Sequence, residues 1–294
     1  MSKRKQPLWL CDSPIPAAKR TVSNNENKPT ERDDVKPKKL SESLPGEENT
    51  PRRQLRSNYK IPDEMPKREP LIRLNIDDVP FIEYKGAIKY FTEMHDMAYH
   101  CDQLIQWVEQ QPEKGQPKVP IGFDLEWPFS FKTGAGKTAL MQLCATTDVC
   151  YLFQISCLKK LPAAMLRLLN HPRVQLHGVN VKNDFRKLAR DFPEAKVENM
   201  IESCMELGQW YNRIHGSSGI WSLERLVLQV CQLRIDKNKK VRMSKWNFLP
   251  LSDDQKMYAA VDVYIGQQIY HKLREKEAKL EQERLDLALE LPTT

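Results

Sequence analysis

The sequence predicts an α/β fold: a mixed five-stranded sheet flanked by helices and preceded by a disordered tail. Three observations carry the prediction. Apolar runs at residues 119–126, 139–144 and 149–155 come first. One link between them holds Gly134 and Gly136, the other Thr146, Thr147 and Asp148, both of hairpin length, so the three strands form a meander. After them, helix-period segments alternate with short apolar runs, the order that adds parallel strands to a sheet. Before them, residues 1–68 show almost no apolar periodicity. They are rich in Pro, Ser, Asn, Lys and Glu, a composition that cannot bury a core.

The tail also carries most of the charge. Residues 1–70 hold 16 of the 46 Lys and Arg residues and 11 of the 39 Asp and Glu residues, which is +5 of the chain's net +7. Its basic clusters are Lys3-Arg4-Lys5, Lys19-Arg20, Lys36-Pro37-Lys38-Lys39 and Arg52-Arg53. Each fits a solvated tail as well as a nuclear import signal or a nucleic-acid arm; together they favour a nuclear protein. Ser13-Pro14 and Thr50-Pro51 have the form of proline-directed phosphorylation sites. Seven cysteines (Cys11, Cys101, Cys144, Cys150, Cys157, Cys204 and Cys231) include no C-x-x-C pair. Free thiols in a reducing compartment fit them better than a disulfide framework or a zinc site. No apolar run approaches the length of a membrane span, and Pro7, Asp12, Pro14 and Pro16 interrupt any signal-like segment. Neither a secreted nor a membrane-spanning protein is expected.

Order is expected from about Leu71. Residues 81–84 and 88–91 are short strand candidates around Gly86. Residues 96–110 place Met97, Cys101, Leu104, Ile105 and Val108 on one helical face. The three meander strands follow. Residues 161–170 are helical and stop at His171-Pro172. Residues 174–179 are the fourth strand, 184–191 a helix stopped by Pro193, and 199–201 the fifth strand. Residues 203–211 and 222–233 are helices, the second N-capped by Ser222. A basic loop spans 236–246. The last helix starts near Ser252, whose spacing to Gln255 fits a capping box, and runs to about Leu289. The expected divisions are a basic tail (1–70), an ordered domain (71–275) and a charged helical extension (276–294).

The chemistry centres on Ile121-Gly122-Phe123-Asp124-Leu125-Glu126-Trp127-Pro128. Side chains alternate faces along a strand, so Asp124 and Glu126 share one face while Phe123 and Leu125 face a core. Two like charges on one face of a buried strand are costly unless a divalent cation sits between them. Taken alone, the motif is better read as a strand end with two solvated acids, because so short a pattern matches by accident. Further acids downstream tip the balance. Asp184 follows the fourth strand at a strand-to-helix junction, where α/β sheets place sites and where an acid also complements a helix dipole. Tyr258 and Asp262 are four apart on a helix, hence on one face, among Ala259, Ala260 and Val261.

The order D-x-E, N-x-x-x-D, Y-x-x-x-D resembles the tyrosine-bearing branch of the DEDD 3′-5′ exonuclease superfamily. Here it reads as Asp124 and Glu126, Asn180 and Asp184, Tyr258 and Asp262. The resemblance covers about residues 80–272. Phe123 to Pro128, Leu140 to Cys144, Trp221-Ser222-Leu223, Ser244-Lys245-Trp246 and Asp254 to Ala260 are most similar to the Werner-syndrome exonuclease domain, in a stand-alone form without helicase motifs. The resemblance implies a ribonuclease H-like fold. It also implies that Asp124, Glu126, Asp184 and Asp262 hold two Mg²⁺ or Mn²⁺ ions, with Tyr258 orienting or helping to deprotonate the attacking water. The products would be nucleoside 5′-monophosphates cut from DNA 3′ ends, in replication or repair, with a separate helicase as a candidate partner. An RNase D-like exoribonuclease and a catalytically inactive nucleic-acid-binding module are the alternatives.

Lys237, Lys239, Lys240, Arg242 and Lys245 precede the Tyr258–Asp262 helix and are candidate phosphate contacts, a solvated loop being the plain reading. Gly134-Ala135-Gly136-Lys137-Thr138 resembles the end of a P-loop, but Phe131 stands where its first glycine belongs and a strand follows. Trp210 and Trp221 read as core residues rather than base-stacking platforms. The six histidines show no metal-ligand spacing.

Overall fold

The computed structural model describes residues 76–113, 118–236 and 238–290. The basic tail expected at 1–70, with Cys11, lies outside the described residues, as does Lys237. In order, a single 3₁₀ turn at Ile76–Asp78 is followed by β1 (Ala87–Phe91), α1 (Met94–Gln110), β2 (Val119–Glu126), β3 (Phe129–Ser130), β4 (Gly134–Ala135), β5 (Leu140–Thr146) and β6 (Val149–Gln154). Then come α2 (Ala163–Leu169), β7 (Val174–Gly178), α3 (Val181–Asp191), α4 (Glu198–Ser203), β8 (Met205–Glu206) and α5 (Leu207–His215). The chain ends in α6 (Leu223–Leu226), a π turn at Val227–Cys231, α7 (Lys239–Arg242) and α8 (Asp253–Glu290).

The main sheet has six strands, not five, in the order β1-β6-β5-β2-β7-β8. The central strand β5 runs antiparallel to β2 and β6, and the remaining pairs are parallel. Of the two candidates around Gly86, the second is a strand, paired with β6 from Ala87↔Val149 to Phe91↔Phe153. The first is not: Phe81 makes an isolated bridge to Arg234. The fifth strand expected at 199–201 lies inside α4, and the edge strand is β8, four residues on. Three apolar or polar-apolar residues have no period to separate a strand from one helical turn, so tertiary packing decides. Met200, nearly fully buried, seats that turn on the core. Residues 222–233 also differ: α6, capped by Ser222 Oγ accepting from Arg225 N at 3.3 Å, passes into the π turn.

Strand alternation sorts β2 and β5 between two layers. Ile121, Phe123, Leu125, Met141 and Leu143 join Met97, Met165 and Phe185 in the core beneath α1, α2 and α3. Leu140 and Cys144 face the other way, against Ala259, Ala260 and Val263 of α8. α8 lies close because position 122 has no side chain: a Cβ there would stand 2.9 Å from the Val263 carbonyl oxygen. Its start is the expected capping box, with Gln255 N donating to Ser252 Oγ (3.2 Å) and Ser252 N to Gln255 Oε1 (3.0 Å). All six described cysteines are free, with Cys101, Cys144 and Cys150 buried and Cys157 exposed. Among the described residues, no helix is long and apolar enough to cross a membrane.

Candidate active site

The face of β2 that α8 covers carries Gly122, Asp124 and Glu126. The last two lie beyond the point of closest helix approach, at the strand's C-terminal end. α8 brings Asp262 to them. Carboxylate oxygens of Asp124, Glu126 and Asp262 lie within 4.8 Å of one another. Tyr258, one turn before Asp262, lines the same cleft, and its ring centroid is 6.0 Å from that of Trp246. Asp184 is delivered by the first turn of α3, which starts from Asn180 in the left-handed region (φ 65°). It lines the cleft but stands outside the close group of three. The cleft has a volume of about 670 Å³.

Charge is crowded here. Asp124 and Glu126 keep one edge open to solvent and are otherwise enclosed by protein. Burial pushes the Asp124 carboxyl up to about 6, although the Leu125 N–H, donated to its Oδ1 at 2.9 Å, and the Arg242 cation pull it down. Glu126 rises well above the ordinary carboxylate range through burial, then through Asp124 and Asp262. Asp184 is pushed up to about 9 by burial, then by Asp124 and Glu206. The Tyr258 phenol is raised by burial, then by Asp262 and Glu126. Such a group of hard, anionic oxygens is disfavoured until a cation discharges it. The donor set suits Mg²⁺ or Mn²⁺.

Of the described basic-loop residues, Arg242 lines the cleft, where its charge acts on Asp124, Glu126 and Tyr258. Lys239 and Lys240 are exposed on α7, away from the cleft wall, and the Lys245 ammonium sits 4.7 Å from the Phe248 ring centroid. Trp210 is core, as its sequence context indicates. Trp221 corrects the same expectation: it is half-buried and forms part of the cleft wall, with Nε1 donating to Asn212 Oδ1 at 2.7 Å. Phe129, Ile220 and His177 also line the cleft and carry no sequence signal of doing so.

A family model described as 3′-5′ exonuclease matches residues 96–277. A Drosophila melanogaster protein named 3′-5′ exonuclease is 56% identical over 201 residues, covering 68% of this chain and 56% of its own length. The Drosophila sechellia protein of the same name is 49% identical over 269 residues, covering 89% of this chain and 71% of its own. This chain therefore spans a little over half the length of the first relative and 71% of the second. The crystal structure of Escherichia coli RNase D, an exoribonuclease involved in structured RNA processing, superposes with a TM-score of 0.51 at 18% identity, covering 71% of this chain and 52% of that one.

Proposed function

We propose, because this chain belongs to the 3′-5′ exonuclease family, that it removes nucleotides from the 3′ ends of DNA and releases nucleoside 5′-monophosphates. The sheet order and flanking helices are those of the ribonuclease H-like exonuclease fold, shared with RNase D. The observation that carries the reading is the convergence of Asp124, Glu126 and Asp262 to within 4.8 Å, on a cleft that Asp184 and Tyr258 also line. These four carboxylates would hold two Mg²⁺ or Mn²⁺ ions. Bound there, the ions supply Lewis acidity towards the phosphate and lower the pKa of an attacking water.

The chain's own groups do the rest. Tyr258, one turn before Asp262 on the cleft wall, would orient the attacking water or help to deprotonate it. Arg242, on the cleft wall, would offer a cation to the phosphate as negative charge develops on it. Lys237, Lys239, Lys240 and Lys245 would meet the strand's outer phosphates.

DNA as the substrate is supported by the Werner-like segments, Trp127-Pro128 above all. The basic clusters of the tail support a nuclear location, and with it a role in replication or repair beside a separate helicase. A full-length fluorescent fusion that stays out of the nucleus would count against that location, and one lacking residues 1–68 that still enters would count against the tail as its signal. The function is tested with Mg²⁺ and two substrates of equal sequence, a 3′-recessed DNA and an RNA. The expected result is progressive shortening of the DNA from its 3′ end, abolished in a folded Asp124→Ala/Glu126→Ala variant. Preferred digestion of the RNA would instead establish an exoribonuclease, and wild-type activity in the double variant would sink the site assignment.

A further inference from the structure

We infer that Gln142 is a positioning residue for this site, its side-chain amide holding the Asp124 carboxylate in the orientation that ligates a cation. The inference rests on the exonuclease reading above. Gln142 stands directly opposite Asp124 in the antiparallel β2–β5 register and opposite Leu152 on β6. Cross-strand partners project to the same face with Cβ atoms about 4.5–5.5 Å apart. Two residues before it, Leu140 packs with Tyr258 and Ala259; two residues after it, Cys144 packs with Ala260 and Val263. Gln142 therefore lies under the turn of α8 that carries Tyr258 and Asp262, behind the carboxylates and off the cleft wall.

Its side chain is 0% exposed, and neither Nε2 nor Oε1 has a hydrogen-bond partner. Buried amides are nearly always paired, because an unmade bond forfeits the group's whole hydration. Gln154, also 0% exposed on the same face, shows the usual outcome: it accepts from Tyr90 Oη (3.0 Å) and donates to Ser156 Oγ (3.0 Å) and the Trp246 carbonyl (2.8 Å). A Leu or Met at 142 would fill the same apolar seam without that penalty, so stability of the seam does not explain an amide there. Asp124 does. Its Oδ1 accepts from Leu125 N at 2.9 Å, and it is the residue directly across the register from Gln142, although no hydrogen bond joins the two side chains in this structure. A turn of the amide that donates an Nε2–H to Oδ2 would give Nε2 a partner and, together with the Leu125 N–H, stop the carboxylate from rotating. Groups behind a ligating carboxylate hold it in this way, and losing one weakens metal affinity or activity about 10–100-fold.

The test uses the full chain and Gln142→Met, which keeps length and removes the amide. Three quantities are read: the thermal midpoint in EDTA, Mn²⁺ affinity by electron paramagnetic resonance titration, and kcat and KM on 3′-recessed DNA. The expected result is a midpoint equal to or above wild type, Mn²⁺ affinity lower by about 10–100-fold, and kcat lower by a similar factor at unchanged KM. Wild-type Mn²⁺ affinity and kcat would overturn the inference and leave Gln142 as filler. A lower midpoint with unchanged Mn²⁺ affinity would overturn it too. If Gln142→Met does not fold, Gln142→Asn decides on the same criteria, since it keeps the amide but withdraws it by one carbon. A wild-type chain that neither binds Mn²⁺ nor shortens DNA would fail the exonuclease reading itself, a result distinguishable from failure of this residue's role.

Discussion

Asp184 is the carboxylate that stands apart, and its ionisation gives the sharpest prediction at the residue scale. Its carboxyl is pushed up to about 9 from 3.8 by burial, then by Asp124 and Glu206. A carboxyl raised on folding contributes stability that is complete below its unfolded pKa and is lost as pH climbs through its folded pKa. Metal-free protein should therefore lose stability steadily from about pH 4 to about pH 9. Asp184→Asn removes this contribution while keeping the shape. In EDTA, its thermal midpoint should match wild type only at about pH 4 and below, and exceed it by a margin that widens up to pH 8.5, each kcal/mol being worth about 2–4 °C in a domain of this size. Parallel midpoint-versus-pH curves for the two proteins would refute this. The site residues were legible where a regular period set their direction: alternation put Asp124 with Glu126, and a helical turn put Tyr258 with Asp262. Trp221 was not, because it stands on an irregular segment whose direction follows from packing, and the basic residues around Arg242 were named as a group without a period to show which of them reaches the cleft. Gln142 was hidden for a different reason, since its meaning lies in a register with β2 that one strand's sequence does not specify.

Among the elements, the β3–β4 hairpin has the most direct bearing on the cleft, because it begins three residues after Glu126. The segment Gly136-Lys137-Thr138, which imitates a P-loop ending, is the hairpin's exit. It is tied to α3: Lys187 Nζ donates to the Gly136 carbonyl (2.6 Å) and pairs with Asp191. Asp191 Oδ2 in turn accepts from Thr138 N (2.6 Å) and Thr138 Oγ1 (2.7 Å). The Lys187 ammonium also lies 5.3 Å from the Trp127 ring centroid, next to Glu126. Lys187→Met leaves Asp191 with Thr138 alone. The Lys187 side chain is 5% exposed and that of Asp191 17%, so the loss should fall between that of a surface pair and a fully buried one, roughly 2–3 kcal/mol. Denaturant unfolding measures that loss. The loosened hairpin should also raise KM for DNA more than it lowers kcat, and an unchanged KM would show that the hairpin does not bear on substrate. Sequence period located the long elements, including α1 and α8, and missed α4, where three residues were too few to show one.

At the scale of the whole molecule, α8 is shared by the sheet and the site. Its first half packs on the sheet through Ala259, Ala260 and Val263, and Ile265, Ile269, Tyr270 and Leu273 pack on α5 and the π turn. Because Asp262 rides on this helix and Asp124 and Glu126 on the central sheet, repulsion among the three works directly against docking of α8 on the sheet. A cation that joins them should stabilise the entire domain rather than one loop. At a concentration 100 times its dissociation constant, a cation bound only by the folded state adds about 2.7 kcal/mol, an upward shift of about 5–10 °C in the midpoint. The shift must grow with pH. Protons occupy Asp124, pushed up to about 6, and Asp184, pushed up to about 9, and the cation has to displace them. Thermal melts with and without Mn²⁺ should therefore diverge from pH 5.5 to pH 8.5, and the divergence should vanish in Asp124→Ala/Glu126→Ala. An equal shift in that variant, or one independent of pH, would mean that the cation stabilises the protein from somewhere other than the carboxylates of β2 and α8.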